Sequence, residues 1–389
     1  MRIRCLALAP VLLLVIGAAP ADNFTADAYA SDAKALEGLI RDNYAYMDDL
    51  PGGVVPSSPQ LNAERDAVRD SDSLLHYAED MIAALADHHA LTGSSFKDDW
   101  GIVPSYADIW IVKKGNAYVV DAVKDGSIAA KAGVRTGERL VKADGQPIDL
   151  AVSAFWSRMG LQPVGERAAF AARVIAAGRR DRPRVLTFVG PAGERTLTMD
   201  NLYKDQPDRA PLTVSSAKGV TTIRFNNSIG DLDTIKVFDA AMAKVPAKAP
   251  VVLDLTDVPS GGTTAIARAV MGWFVTSPMP YQMHQLPSEE RETGIKRQWV
   301  EYVLPRPGKY HPGPVSVRAG RWTGSMGEGL AVGFLALGKP VCGGRMAGLK
   351  GGVYDYDLPK TGLRVKFPAE RIYTIAGAPR EKVLLAPCR

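Results

Sequence analysis

Histidine is scarce in this chain of 389 residues: five occur, and none lies beyond His311. That excludes any hydrolase whose catalytic histidine must follow its serine in the C-terminal part, as the Ser…Asp/Glu…His order of α/β-hydrolases requires. Metal hydrolysis is equally short of ligands, with no His-Glu-x-x-His or comparable set. Cysteine is rarer still, at positions 5, 342 and 388. No block of one charge sign stands out: 47 basic and 42 acidic residues are spread along the chain, net +5. Nucleic-acid binding therefore has little support. After the first 21 residues no apolar run is long enough to span a bilayer.

What is present is a globular composition, 46% hydrophobic, with length for two or three domains. Arg2 and Arg4, the apolar Leu6–Ile16 and the small-residue site Ala19-Pro-Ala21 read as a signal peptide over 1–21, removed before Asp22. Localisation would then be periplasmic or secreted. Cys342 and Cys388 remain, either as one disulfide tying down the C-terminal tail or as two free thiols.

Residues 22–100 read as a helical domain. LEGLIRDNYAYM and LLHYAEDMIAALADHHAL repeat apolar residues at three- and four-residue intervals, with Pro51-Gly-Gly and Pro56-Ser-Ser-Pro59 breaking the pattern between them. Asp87-His88-His89 is the one histidine cluster. Adjacent helical positions point about 100° apart and cannot chelate one metal from one face, so a surface or capping role is expected. From 101 the texture changes to strands, with a hairpin signal at Lys114-Gly-Asn116. Gly126-Ser-Ile, Ala132-Gly-Val, Gly137, Leu140 and Asp144-Gly-Gln-Pro-Ile148 resemble a PDZ domain of the bacterial protease-associated kind, over 101–205. That resemblance implies a groove taking an extended polypeptide by strand addition; the alternative is a spacer that binds nothing. Residues 151–180 are longer and more helical than a minimal PDZ domain needs.

Residues 210–389 read as a separate α/β unit, with strands over GVTTIRFNN and VVLDL and a helix over TAIARAVMGWFV. Pro, Glu and Arg dominate 277–314, which predicts a surface excursion or lid. Two stretches in this unit carry chemistry. Asp254-Leu-Thr-Asp-Val-Pro-Ser-Gly261-Gly262 runs from a strand into a glycine turn, where backbone N–H groups can hold an oxyanion. Thr323-Gly-Ser325-Met326-Gly-Glu328 opens a helix, so Ser325 sits where the helix dipole favours developing negative charge. Read locally, Ser325 is equally well an N-cap with Glu328 as its capping-box partner. Lys350, flanked by glycine after a buried strand, is a candidate base if burial lowers its pKa.

Taken together, the Asp-Leu…Gly-Gly turn, Ser-x-x-Glu and a lysine 25 residues after the serine resemble the C-terminal processing peptidases, or tail-specific proteases. So does the order of signal peptide, helical segment, PDZ domain and peptidase unit. The resemblance implies a mixed α+β fold and a serine endopeptidase acting on polypeptides near their C-terminal tails. By it Ser325 is the nucleophile, Lys350 the general base, and the amides of Gly261 or Gly262 and Met326 the oxyanion hole. No metal or organic cofactor is implied.

The chain departs from the family pattern in three places. Its glycine turn is one residue longer. Tyr354 stands where many members place a glutamine that orients the lysine, and Ala336 where others carry an aspartate. Tyr354 and Glu328 are the remaining candidates for orienting roles. Ser94-x-x-Lys97 and Lys360-Thr-Gly362 match penicillin-binding motifs, but no Ser-x-Asn or Tyr-x-Asn lies between them. An alternative of another class is a secreted peptide-binding protein that keeps the fold without useful catalysis.

Overall fold

The computed structural model describes residues 24–97, 106–202 and 209–388; the expected signal peptide lies outside them. Three helices open the described chain, Ala26–Asn43, Pro59–Ala67 and Ser71–Ala84. Each starts at a polar residue, Thr25, Ser58 or Asp70, whose side chain accepts a first-turn amide. Their apolar faces meet through Leu36, Ile40, Leu74, Tyr77 and Met81, all buried.

The PDZ-like part is an antiparallel sheet of Ile109–Lys114, Ala117–Val123, Arg139–Ala143, Arg184–Gly190 and Gly193–Met199 in that order, with short Gln146–Pro147 beside the third. The first two strands turn at Gly115-Asn116, with Lys114 opposite Ala117, as the hairpin signal predicts. The helical excess of 151–180 is resolved into two helices, Ile148–Ser157 and Glu166–Ala177. The second is buried from Ala168 to Ala177 and packs on strand Ile109–Lys114. Arg173 on it donates to the Ile111 carbonyl at 3.1 Å and to His88 Nε2 at 2.6 Å. Beneath the sheet Asp108 and Arg184 form a two-point ion pair at 2.7 and 2.9 Å, with both side chains under 5% exposed.

The C-terminal part holds two sheets. In one, Val341–Cys342, Val315–Arg318, Val251–Asp254 and Val220–Phe225 run parallel, and Leu212–Ala217 closes the edge antiparallel. Helices Asp233–Met242, Thr264–Met271 and Met326–Ala336 cover it, burying Ile223, Leu253, Val317, Phe238, Ile266 and Phe334 in one core. In the other, the order is Leu91–Thr92, Arg364–Tyr373, Met279–Gln285, Gln298–Val303, with Gly352–Asp357 also paired to Arg364–Tyr373.

Two expectations are corrected here. Residues 277–314 are not a surface excursion throughout: Met279–Gln285 is an interior strand, and Tyr281, Gln282, His284 and Val303 are buried, whereas 291–298 are exposed. The segment reads as surface because its buried face is a polar network, Gln282, His284 and Glu301 within 3.2 Å of one another, in place of an apolar stripe. Nor do residues 210–389 stand apart. Leu91 pairs with Lys366, buried Asp32 accepts the Lys360 and Thr361 amides at 3.0 and 2.7 Å, and Phe367 joins the N-terminal core.

Cys342 and Cys388 form a disulfide across 46 residues, which decides between the two sequence readings. A loop of that size constrains the unfolded chain, so Cys388→Ser is expected to lower unfolding free energy by roughly 2–4 kcal/mol. Denaturant titration of the two proteins checks this; an unchanged midpoint would contradict it.

Candidate active site

The parallel sheet places its reactive loops at the carboxyl ends of its strands, where open α/β sheets carry their sites. Two loops matter, 255–263 after Val251–Asp254 and 319–325 after Val315–Arg318. They are stitched side by side: Val258 N–H donates to the Trp322 carbonyl at 2.8 Å and Gly324 N–H to the Val258 carbonyl at 3.0 Å.

Ser325 sits at the strand-to-helix corner with φ 51° and ψ −118°, a conformation costly for a residue with a Cβ. Such strain persists only where the surroundings hold it. Here the holder is Glu328, fully buried. Its carboxylate accepts the Ser325 amide at 2.9 Å, the Gly348 amide at 2.9 Å and the Leu349 amide at 3.1 Å. Burial pushes the Glu328 carboxyl up to about 7 against the opposing pull of Arg380 and those three amides. Glu328 thus joins the serine corner to the 348–349 loop, more than an N-cap alone requires.

Gly261 lies against this corner, φ +67°. A Cβ there would come within 2.3 Å of the Ser325 Cβ and 2.7 Å of the Met326 nitrogen, so its backbone and the first amide of the helix are neighbours. Gly262 faces the other way, and a Cβ on it would sit 1.8 Å from the Ile229 carbonyl oxygen. No side chain fits there without moving backbone. Gly262→Ala is accordingly expected to cost roughly 1–3 kcal/mol, read as a lowered melting temperature; an unchanged one would show that the loop yields freely.

Ser325, Met326 and Gly262 open on a cleft of ≈ 600 Å³ shared with His89, Tyr354, Glu370 and Arg380. Lys350 is not among its lining residues. The structure places the Lys350 amine 2.7 Å from Asp49 Oδ2 and over the Tyr46 ring, 5.0 Å from its centre, on the side of the N-terminal segment. The Tyr354 hydroxyl donates to Glu370, whose other oxygen accepts from His284 Nδ1 at 2.8 Å. Tyr354 therefore orients Glu370, not Lys350. Burial alone would push the His284 imidazole down, but its hydrogen bonds to Glu301 and Glu370 outweigh it and raise its pKa.

The group that the sequence reading passed over is His89. The helix ends at Ala84, so Asp87-His88-His89 is a turn, and neither a surface site nor a helical cap. Asp87 is buried, accepting from Tyr44 Oη at 2.7 Å and from the His89 amide at 2.9 Å. His89 Nδ1 lies 2.5 Å from the Lys350 carbonyl oxygen. A carbonyl only accepts, so Nδ1 carries the proton and Nε2 bears the lone pair. Among the described residues Nε2 has no hydrogen-bond partner, and the ring lines the cleft that holds Ser325. Burial pushes the imidazole down to about 4, keeping it neutral at physiological pH. The readable signal was Asp-x-His just past a helix end, where an aspartate can clamp the backbone amide two residues on.

Residues 119–154 match the family model of the PDZ domain. No curated protein matches the sequence. Among solved structures, the photosystem II D1 C-terminal processing protease superposes with a TM-score of 0.55 at 16% identity, covering 92% of each chain. Mature CPAF superposes with a TM-score of 0.54 at 13% identity, over 93% of this chain and 92% of its own. Over nine-tenths of its length the chain has the fold of these two proteins.

Proposed function

We propose that the protein is a serine-type peptidase acting on polypeptides, with Ser325 as nucleophile. The observation that carries this reading is the strained Ser325 corner, held by buried Glu328, opening on the same cleft as a neutral imidazole whose tautomer is set. Its fold likeness to the photosystem II D1 C-terminal processing protease supports the same class of activity. The backbone N–H groups of Met326 and of Gly261 or Gly262 serve as the oxyanion site, as the sequence proposes.

The base we assign is His89, because the Lys350 amine is engaged by Asp49. Lys350 acts through its main chain, its carbonyl holding Nδ1–H. In the reaction His89 Nε2 takes the Ser325 hydroxyl proton as Oγ attacks the scissile carbonyl, and the oxyanion rests on the turn amides. The imidazolium then returns that proton to the leaving amine, and water hydrolyses the acyl-enzyme. The PDZ-like part presents the polypeptide tail, and the site of action is periplasmic or secreted, following the signal sequence. No helix among the described residues is long and apolar enough to cross a membrane.

A serine-reactive fluorophosphonate tests the assignment. Labelling is expected at Ser325 in the wild type and absent in Ser325→Ala. No labelling of folded wild-type protein, with tailed or denatured proteins left uncut, would favour a peptide-binding protein without catalysis.

A further inference from the structure

A second cleft, ≈ 670 Å³, lies on the other side of the stitched loops from the Ser325 cleft. Thr256 and Gly320–Trp322 line it, whereas Pro259, Ser260, Gly262, Ser325 and Met326 line the first. The pair Val258–Gly324 forms the wall between them. Its far side is residues 121–125 of the PDZ-like part.

Its charge is unbalanced. Arg321 is bound by Asp121, and one oxygen of the Asp254 carboxylate accepts from the Thr256 amide and hydroxyl at 2.9 and 2.6 Å. With Asp125, the lining sets three carboxylates against the five cations Lys124, Arg224, Arg318, Arg321 and Arg345. Behind the lining, buried Asp257 is shared by Lys124 at 2.7 Å, Arg209 at 2.5 Å and Arg224 at 3.4 Å. One carboxylate faces three cations, and Arg224 Nε is buried with no hydrogen-bond partner among the described residues. Arg318 and Arg345 also line the cleft, and among the described residues neither guanidinium has a hydrogen-bond or ion-pair partner. Guanidinium groups left in this way are suited to two-point binding of carboxylates.

We propose that this cleft is an exosite for an acidic stretch of the polypeptide substrate, its carboxylates pairing with Arg318 and Arg345. The proposal rests on the peptidase reading for its substrate. The cleft is far larger than one small anion needs, and it runs between the PDZ-like strand end and the loops that carry Ser325, so a chain lying in it passes beside the reaction site.

The test measures binding in full-length Ser325→Ala protein, by anisotropy of a fluorescein-labelled Glu-rich dodecapeptide and a Gly/Ser-rich one of equal length, at low ionic strength. The acidic peptide is expected to bind more tightly, and Arg318→Glu/Arg345→Glu to weaken it about tenfold without affecting the neutral one. Arg318→Lys/Arg345→Lys, which keeps the charge but loses the two-point geometry, is expected to bind with an affinity between wild type and the double reversal, and guards against a folding defect. Equal binding of the two peptides, or indifference to the double reversal, overturns the proposal. So does saturable binding of inorganic phosphate with none of the acidic peptide, which would leave a small-anion site only. The readout needs no catalysis, so a failure of serine labelling would sink the peptidase reading and leave this result standing.

Discussion

Ser325→Ala and His89→Ala are each expected to lower the peptidase rate roughly 10⁴-fold, while Lys350→Met stays within about tenfold of wild type. The contrast follows from what each change removes. Ser325 and His89 lose reacting atoms. Lys350→Met loses an ion pair to Asp49 whose lysine side chain is 26% and aspartate 49% exposed, and partly exposed pairs contribute little. It keeps the main-chain carbonyl that holds His89 Nδ1. Loss of activity in Lys350→Met with His89→Ala still active would return the base to the lysine amine.

The pH profile separates the two bases independently. The folded His89 imidazole sits at about 4, below its usual value near 6.5. It is therefore neutral and competent above about pH 4, and kcat/KM is expected to fall only as pH drops through that region. A lysine base would instead give a rate that climbs on the alkaline side. The sign for stability is the same. With the folded pKa depressed, the unfolded chain binds the proton more readily, so this group's contribution is full above about pH 6.5 and lost as pH falls towards 4.

Asp108→Ala is expected to destabilise the protein by roughly 3–5 kcal/mol, the cost of leaving a buried charge without its partner. Asp108 meets Arg184 through both oxygens, at 2.7 and 2.9 Å, and also accepts the Ala129 amide at 2.9 Å at the start of helix Ile128–Lys131. Removing it strands a guanidinium that is 1% exposed. Chemical denaturation should show a lower midpoint, and the double change Asp108→Leu/Arg184→Met should recover part of the loss. A single variant as stable as wild type would mean that water reaches Arg184.

Much of this fold is legible in sequence because its elements carry local signals. The helices of 26–84 have capped starts and repeated apolar faces, and the Lys114-Gly-Asn116 turn and the glycines of 126–145 mark the PDZ-like sheet. The Ser325 corner and Gly261-Gly262 are legible for a related reason, since small residues cluster where backbones come close. Part of 277–314 is misread because a strand buried through Gln282 and His284, which bond Glu301 on the next strand, has no alternating apolar pattern.

The proposed base, His89, is where sequence separation gives no guidance. Lys350 is the conspicuous cation after Ser325 in the chain, and distance along the chain carries no information about where an amine points. Its partner Asp49 is 301 residues away. His89 stands 236 residues before Ser325 and enters the cleft because Leu91–Thr92 adds a strand beside Arg364–Tyr373. The helical segment, the PDZ-like strands and the serine at a glycine-lined corner are legible from the residues alone, since these rest on short-range periodicity and turn chemistry. Which titratable group shares the serine's cleft is visible only in three dimensions, because it depends on pairing between strands hundreds of residues apart.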